Sequence, residues 1–436
     1  MDTRKALSLV LASFVWTSSF GSGFALYEPS AAAHALGGAT LGKAIDPSAN
    51  FINPATLSDF TNIVVTLGFV TEHPRCKVHV NGGGEEKLDP GLFWLPHFMM
   101  AVPLPYGFTF GLGGDAEYGL GTKYSDNWTM NWSTTETTVQ GYVLTPNLSY
   151  AITEDWSVGV GLRWLYFDFE QFSNPIAPLD LSDMGMGVQQ LGSMRNHLHG
   201  DNGFESLGWQ VGTRYRITDS LSVGAVYKSA IDVTVKGDCT TKVGGYNDAL
   251  LSKIGGLADL AKAGMLQSAK DATGDADADL TLPQSVTGGF NWDITDTVHF
   301  GAAVSWTEWS ELETLNFHLP NGDRPINLKW HDTWRFAFAP SWDFAEDWTF
   351  MISYIYDMDC TDEHQTSAML PPADRHILGG GLTWRVWGGL ECTLSYACIF
   401  MDGGMMSTSD ALGREYRLKS SDGFCHAGGF SVTYRF

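Results

Sequence analysis

Charged side chains are scarce in this 436-residue chain, and basic ones are scarcer still: charged residues make up 17%, with 26 Lys and Arg against 49 Asp and Glu. The formal net charge of −23 argues against nucleic-acid binding, because gripping phosphates needs a clustered basic surface. The six cysteines, Cys76, Cys239, Cys360, Cys392, Cys398 and Cys425, show no paired C-x-x-C spacing, so no zinc site is expected. In an oxidising compartment some of them can pair, and the sequence leaves the pairing open. Beyond the N-terminus no apolar run is long enough for a membrane-spanning helix, and a mean hydropathy of −0.08 is too polar for a helical membrane protein.

Aromatics and glycine are abundant instead, with 16 Trp, 25 Phe, 15 Tyr and 49 Gly. That mixture without long apolar runs is what a transmembrane β-barrel requires, its lipid-facing residues diluted by lumen-facing ones and its two interfaces marked by aromatic girdles. The first residues set the compartment. Arg4 and Lys5 precede an apolar core over 6–16 and then small residues, the pattern of a cleaved signal peptide within 1–25, with cleavage after Gly21 or after Ala25.

Period-2 alternation recurs from residue 62 onward. Val298, Phe300, Ala302, Val304 and Trp306 share one strand face, as do Trp348, Phe350, Ile352, Tyr354 and Tyr356. Short turns of one style, "ITED", "ITDS", "ITDT" and "FAED", alternate with long irregular stretches at about 173–203, 236–280, 316–328, 357–374 and 402–422. A soluble sandwich has no reason to alternate tight and long connections, whereas an outer-membrane barrel does. The pattern predicts fourteen strands, an even number, the first over 62–73, the seventh over 221–235 and the last over 423–436, ending in a lipid-facing row of Phe424, Phe430, Val432, Tyr434 and the terminal Phe436.

One stretch does not fit a strand: "SANFINPATLS", residues 48–58, is small, polar and broken by proline. With what precedes it, "GFALYEPSAAAHALGGATLGKAIDPSANFINPATLS" resembles the N-terminus of the FadL/TodX family of outer-membrane transporters for hydrophobic compounds. "LGWQVGTRYRITDSLSVGAVYKSAIDVTVKGD", "KWHDTWRFAFAP" and "PPADRHILGGGLTW" follow in family order. The resemblance implies an all-β fold: a fourteen-stranded barrel over 60–436, plugged by an N-terminal hatch over 26–59. A barrel of that width leaks unless it is filled. Ala31, Ala32, Ala33, Gly37, Gly38 and Gly42 would let the hatch pack in the lumen, and Asn53, Pro54 and Ala55 would form the turn into the wall.

The same resemblance assigns transport roles. Met184, Met186, Val188, Leu191, Met194 and Leu198 in one outer loop would face Leu250, Leu251, Ile254, Leu257, Leu260, Met265 and Leu266 in another, forming a ligand-capture groove. The alternative is that the loops bury these residues against each other. In "FGLGGDAEYG", residues 110–119, Gly111, Gly113 and Gly114 with Asp115 and Glu117 would form a kinked third strand opening a lateral gate; a regular strand with lumen-facing acids is the alternative. Arg163, Arg214, Arg335, Arg385 and Arg435 fall on lumen positions, where they would either latch hatch acids such as Glu28 or Asp46 or simply line the lumen. Fatty-acid carriers of this family place basic groups at positions aligned here with Asp168 and Asn316, a departure that favours a neutral hydrocarbon, although Arg163 or Arg335 would still be available to a carboxylate.

No cofactor, no metal and no catalytic residue is expected. His331 and Asp332 are adjacent on a strand and point to opposite faces, and "DADAD" at 275–279 lacks EF-hand spacing. The expected partners are a hydrophobic small molecule and outer-membrane lipid, with the barrel acting as a monomer. A barrel that only presents surface loops, as an adhesin or antigen, is the alternative function.

Overall fold

The structure is a computed structural model that describes residues 23–436 apart from 28, 82, 89, 90 and 366. The basic and apolar start of the chain and Glu28 lie outside the described residues.

The wall is a closed antiparallel barrel of fourteen strands. Its first half is β1 Val64–Val80, β2 Phe93–Pro103, β3 Phe108–Lys123, β4 Glu136–Ala151, β5 Trp156–Ser173, β6 Ser206–Thr218 and β7 Leu221–Lys228. Its second half is β8 Ser285–Asp293, β9 Val298–Thr307, β10 Thr333–Ala345, β11 Trp348–Asp357, β12 Ala373–Trp387, β13 Leu390–Gly403 and β14 Glu415–Arg435. Pairing runs between successive strands and closes from Val64↔Arg435 to Val80↔Leu418. Closure satisfies the backbone along the wall without an exposed edge, the condition for crossing lipid. Outward faces carry the aromatics: Trp156, Trp209, Phe338, Phe350 and Phe436 are among the exposed large side chains. The terminal row of Phe430, Tyr434 and Phe436 is exposed as well.

Tight turns at 152–155, 219–220, 294–297 and 346–347 lie at one end. The long connections at the other end are more regular than expected. Residues 173–203 hold a hairpin of Ile176–Leu181 and Gly187–Asp201, and strand Ile231–Tyr246 pairs with the latter. Gly274–Leu282 pairs in turn with Ile231–Tyr246, and Thr314–Leu319 with Gly322–Asn327. Extending ladders past the membrane satisfies backbone groups that an irregular loop would leave to water.

The hatch enters the lumen as two short helices, α1 Ala31–Ala35 and α2 Ala49–Ile52, and ends in a 3-10 turn, Pro54–Asp59. Ser30 caps α1, its Oγ accepting from the Ala33 N–H at 3.1 Å. Two further helices, α3 Asp248–Ile254 and α4 Ala258–Asp271, lie in an outer loop.

Candidate functional site

Small residues on both partners let the hatch touch the wall backbone to backbone. A Cβ on Gly159 would lie 2.4 Å from the Pro54 carbonyl carbon, and one on Gly212 2.0 Å from Asn53 Oδ1. Buried Asn53 donates to the carbonyls of Leu41 at 2.7 Å and Thr213 at 3.1 Å, and its Oδ1 accepts from the Ala55 N–H at 3.1 Å. Asn53, Pro54 and Ala55 therefore tie hatch to wall as well as forming a turn. Asn50, not singled out from sequence, does the same: its Oδ1 accepts from Asn147 at 2.9 Å and its carbonyl from Gln210 at 2.7 Å. Such buried amides hold position because leaving any of them unpaired costs about 1–3 kcal/mol.

The arginines divide. Arg335 donates to the Gly37 carbonyl at 3.1 Å and lies over the Tyr27 ring at 4.4 Å. Arg214 grips Asp59, and Arg435 reaches the Ile45 carbonyl at 3.1 Å. These three hold the hatch, chiefly through carbonyls. The expected latch on Asp46 does not form: Asp46 accepts from Ser30 Oγ at 2.7 Å and the Ser48 N–H at 2.8 Å. Arg385 sits near a tight turn, 3.5 Å from Asp343. Arg163 turns to the wall itself, 3.0 Å from Glu117, and donates to Tyr118 Oη at 3.0 Å and the Ser229 carbonyl at 2.9 Å. Lys228 also donates to Glu117, so this buried carboxylate stands between two cations.

That carboxylate lies where the wall departs from a regular sheet. β3 pairs with β2 from Pro103↔Thr109 only as far as Phe98↔Gly114, while β2 continues along β1 to Phe93↔Glu72. On its other side β3 follows β4 to Lys123↔Glu136 with a register shift between Ala116 and Tyr118. The bulge thus falls at Glu117, and Asp115 and Glu117 are both buried. Gly113 and Gly114 do not make it. A Cβ on Gly111 would meet Asn50 Oδ1 at 2.1 Å and one on Gly113 the Phe51 ring at 2.5 Å, so these two glycines make room for the hatch. Gly114 has open space beside it, the nearest atom to such a Cβ being 3.9 Å away. Above Gly114 the hatch takes the place of β2. Ala25 bridges Tyr118, the Leu26 N–H donates to the Glu117 carbonyl at 2.9 Å, and the Gly119 N–H donates to the Phe24 carbonyl at 2.8 Å.

The residue before this bridge fills an apolar pocket. The Phe24 ring centre stands 5.1 Å from Trp309, 5.8 Å from Trp330, 6.0 Å from Tyr118 and 6.2 Å from Phe167. Val139, Phe169, Leu315 and Phe317 continue the lining, which has no polar surface, and the free volume is about 30 Å³. Gly23 is required at its position: its φ is +57°, and a Cβ would lie 2.4 Å from the Trp309 indole. Phe24 was hidden from sequence reading by its place at the end of the signal-peptide pattern. "GFAL" beginning the family-like stretch was the one signal pointing to it.

Asp168 and Asn316 do not face this pocket. Asp168 lies outside it, 3.2 Å from His199, and Asn316 is exposed. A one-residue slip in a strand exchanges faces, and the inward neighbours are Phe167 and Phe169, and Leu315 and Phe317. The inference of a pocket without a cation survives on different residues, and neither Arg163 nor Arg335 lines it.

The two outer loops do pack together, largely by mutual burial. Leu191, Leu250, Leu251, Ile254 and Met265 are buried in one small cluster, with Met186 and Met194 packed against it. Leu198 joins the main barrel core instead. Met184, Val188, Leu257, Leu260 and Leu266 remain exposed. Residues that hold the loops together and residues that present apolar surface are thus different ones. In the neighbouring loops Asp277, Asp279 and His318 place their ligand atoms within 4.8 Å of one another, a donor set able to hold a cation, with Asp323 2.9 Å from His318 Nδ1.

A closed barrel with aromatic outer faces, a tethered lumen hatch and an apolar pocket defines an outer-membrane channel for apolar molecules as a class. The chain belongs to the outer membrane protein transport protein family (OMPP1/FadL/TodX), whose model matches residues 12–436. It is 23% identical over 462 residues to the long-chain fatty acid transport protein of Escherichia coli, covering 100% of this chain and 98% of that one. The crystal structure of a Pseudomonas aeruginosa FadL homologue superposes with a TM-score of 0.80 at 22% identity, covering 95% of this chain and 100% of that one. The P. putida toluene transporter TodX has the same fold, with a TM-score of 0.68 at 16% identity over 94% and 99% of the two chains.

Proposed function

We propose that this barrel takes up a neutral hydrophobic compound across the outer membrane by passive diffusion, without cofactor or covalent step, and works as a monomer. The observation that carries this reading is the pocket, wholly apolar and stoppered by Phe24. Its free volume of about 30 Å³ admits roughly one water molecule and no hydrocarbon. A ligand therefore binds by displacing Phe24. Burial of the ring is worth about 2–3 kcal/mol, and the two backbone bonds beside it about 1 kcal/mol each. A hydrocarbon gains about 0.8 kcal/mol per buried CH₂, so six or so methylenes outweigh the stopper. Displacing Phe24 also pulls residues 24–26 off Glu117 and Gly119, opening the gap above Gly114 through which the ligand leaves sideways into lipid. Met184, Val188 and Leu257 supply the first apolar contact outside.

The reading is tested by equilibrium binding to the detergent-folded protein, comparing a labelled long-chain fatty acid with a neutral hydrocarbon of similar length. The neutral compound is expected to bind at least about tenfold tighter, because an unpaired carboxylate is costly in a site without partners. Equal or reversed affinities refute the neutral preference, and binding of neither supports a barrel that only presents loops.

The same reading selects between the two cleavage positions. Cleavage after Ala25 would remove Gly23 and Phe24, whereas cleavage after Gly21 keeps them. Intact-mass analysis of the protein from outer membranes is expected to show a chain beginning at Ser22.

A further inference from the structure

With so few basic residues in the chain, their clustering on one outer surface stands out. Past Thr71 the outward face of β1 reads His73, Arg75, Lys77 and His79. Strand register brings more charge alongside. Lys77 lies directly across from Lys87 on the short strand Glu85–Leu88, and His79 across from Lys419 on β14. The Asn81 N–H donates to the Arg417 carbonyl at 3.0 Å, which sets Arg417 beside the same row. Arg75, Lys87, Arg417 and Lys419 are exposed. Like charges directly opposite destabilise a strand pair, and an anion bound between them offsets that repulsion. Acidic side chains share this surface: Glu85 stands 3.6 Å from Lys77 and 3.8 Å from His79, and Glu415 is exposed two residues before Arg417. Glu86 is turned to the Ser125 N–H at 2.7 Å.

The height of the patch identifies the anion. Below it the outward face of β1 is Val65, Leu67 and Phe69; the Phe69 ring packs 4.8 Å from Trp94, and Phe69 lies opposite Phe430. Phe424, whose ring stands 5.2 Å from Phe400, lies opposite Arg75, so this aromatic band reaches the start of the basic row and marks the interface. The basic row starts at its upper edge and, at about 3.3 Å per residue, extends about 20 Å along the strand. It therefore stands at and above the headgroup layer, with apolar wall beneath for acyl chains. A ligand matching both parts has several phosphates on a large headgroup and several chains.

We propose that the outward face of β1, strand Glu85–Leu88 and the start of β14 bind a multiply phosphorylated lipid of the outer leaflet, its phosphates held by Arg75, Lys77, Lys87, Arg417 and Lys419. The site adjoins β2, whose far edge borders the gap above Gly114, so the lipid sits beside the exit assigned to the substrate.

The test uses the full-length barrel in detergent and native mass spectrometry with defined lipids: bisphosphorylated lipid A, phosphatidylcholine and, as competitor, inorganic phosphate. The wild type is expected to retain lipid A and not phosphatidylcholine. The K77Q/K87Q/K419Q variant is expected to lose about a hundredfold in affinity, at about fivefold per lysine. A variant with the same charge change elsewhere, K253Q/K262Q/K270Q on the outer helices, is expected to bind as wild type, and heat-modifiable gel mobility verifies that each barrel is folded. Equal lipid A retention by K77Q/K87Q/K419Q, equal loss in the control variant, or displacement by millimolar inorganic phosphate overturns the proposal. None of these outcomes depends on hydrocarbon uptake, so this site and the transport reading fail separately.

Discussion

Joining residues 25 and 118 by a disulfide is expected to abolish hydrocarbon binding and uptake, and reduction to restore both. Ala25 and Tyr118 face each other in the short ladder between hatch and β3. The flanking bonds run from the Leu26 N–H to Glu117 and from the Gly119 N–H to Phe24, which makes 25 and 118 a non-hydrogen-bonded pair. Facing Cα atoms in such a pair stand about 4.5 Å apart, within the span of a disulfide. The cross-link in A25C/Y118C fixes the segment that carries Phe24, so the ring cannot leave Trp309 and Trp330 and the gap beside β3 cannot clear. Cys360 is buried near this segment, so the variant is made in a Cys360→Ala background to prevent mispairing. The reduced double variant is the control for the lost bond from Arg163 to Tyr118. The check is ligand binding and whole-cell uptake with and without reductant. Unchanged uptake in the oxidised form would mean that substrate passes without moving the hatch.

The distinction between wall and hatch was legible because lipid imposes period 2 on one face and the hatch stretch breaks it. All fourteen wall strands answer to segments of alternation, yet the outer ends of the first and last extend past the expected ones. β1 was expected over 62–73 and runs to Val80, and β14 was expected from 423 and starts at Glu415. Outside the membrane the outward face turns basic or polar, so the alternation fades while the hydrogen-bonded ladder continues. The hairpin Ile176–Leu181 and Gly187–Asp201 escaped for the same reason, since both its faces are mixed. β7 was expected to 235 and stops at Lys228; the wall is interrupted where the Ser229 carbonyl turns to Arg163, and the chain resumes as Ile231–Tyr246.

The pocket was less legible than the wall because its lining is assembled from Phe24, Phe167, Leu315, Phe317 and Trp330, far apart in sequence, and no local pattern links them. The glycines of β3 were read as freedom for a kink, whereas Gly111 and Gly113 are space for Asn50 and Phe51. A glycine in a strand signals close approach or a bulge, and only the hatch position decides which. The choice between a hatch latch and plain lumen lining was equally open for Arg163, whose partner is Glu117 on the wall.

Placing one cation in the pocket is expected to reverse its ligand preference. Leu315 is buried and lines the cavity beside Phe317. In Leu315→Lys the ammonium has no polar partner there, and burial without one drives a lysine towards its neutral form. A fatty-acid carboxylate entering the same space supplies the partner, and close ion pairs of this kind are worth about 1.5 kcal/mol or more. Affinity for a long-chain fatty acid should therefore rise at least about tenfold, while the neutral hydrocarbon loses a similar factor because its binding now strands the charge. The ligand-free variant should unfold at lower denaturant than wild type, and fatty acid should restore more of that loss than hydrocarbon does, since a ligand bound only to the native state stabilises it by mass action. Leu315→Met, which keeps volume and polarity, should leave both affinities within about threefold of wild type. Binding titrations and denaturant midpoints on the three proteins check this. A Leu315→Lys barrel that folds and keeps the wild-type preference would move the binding site away from the Phe24 pocket, whereas reversal places ligand selection in the lining that Phe24 covers.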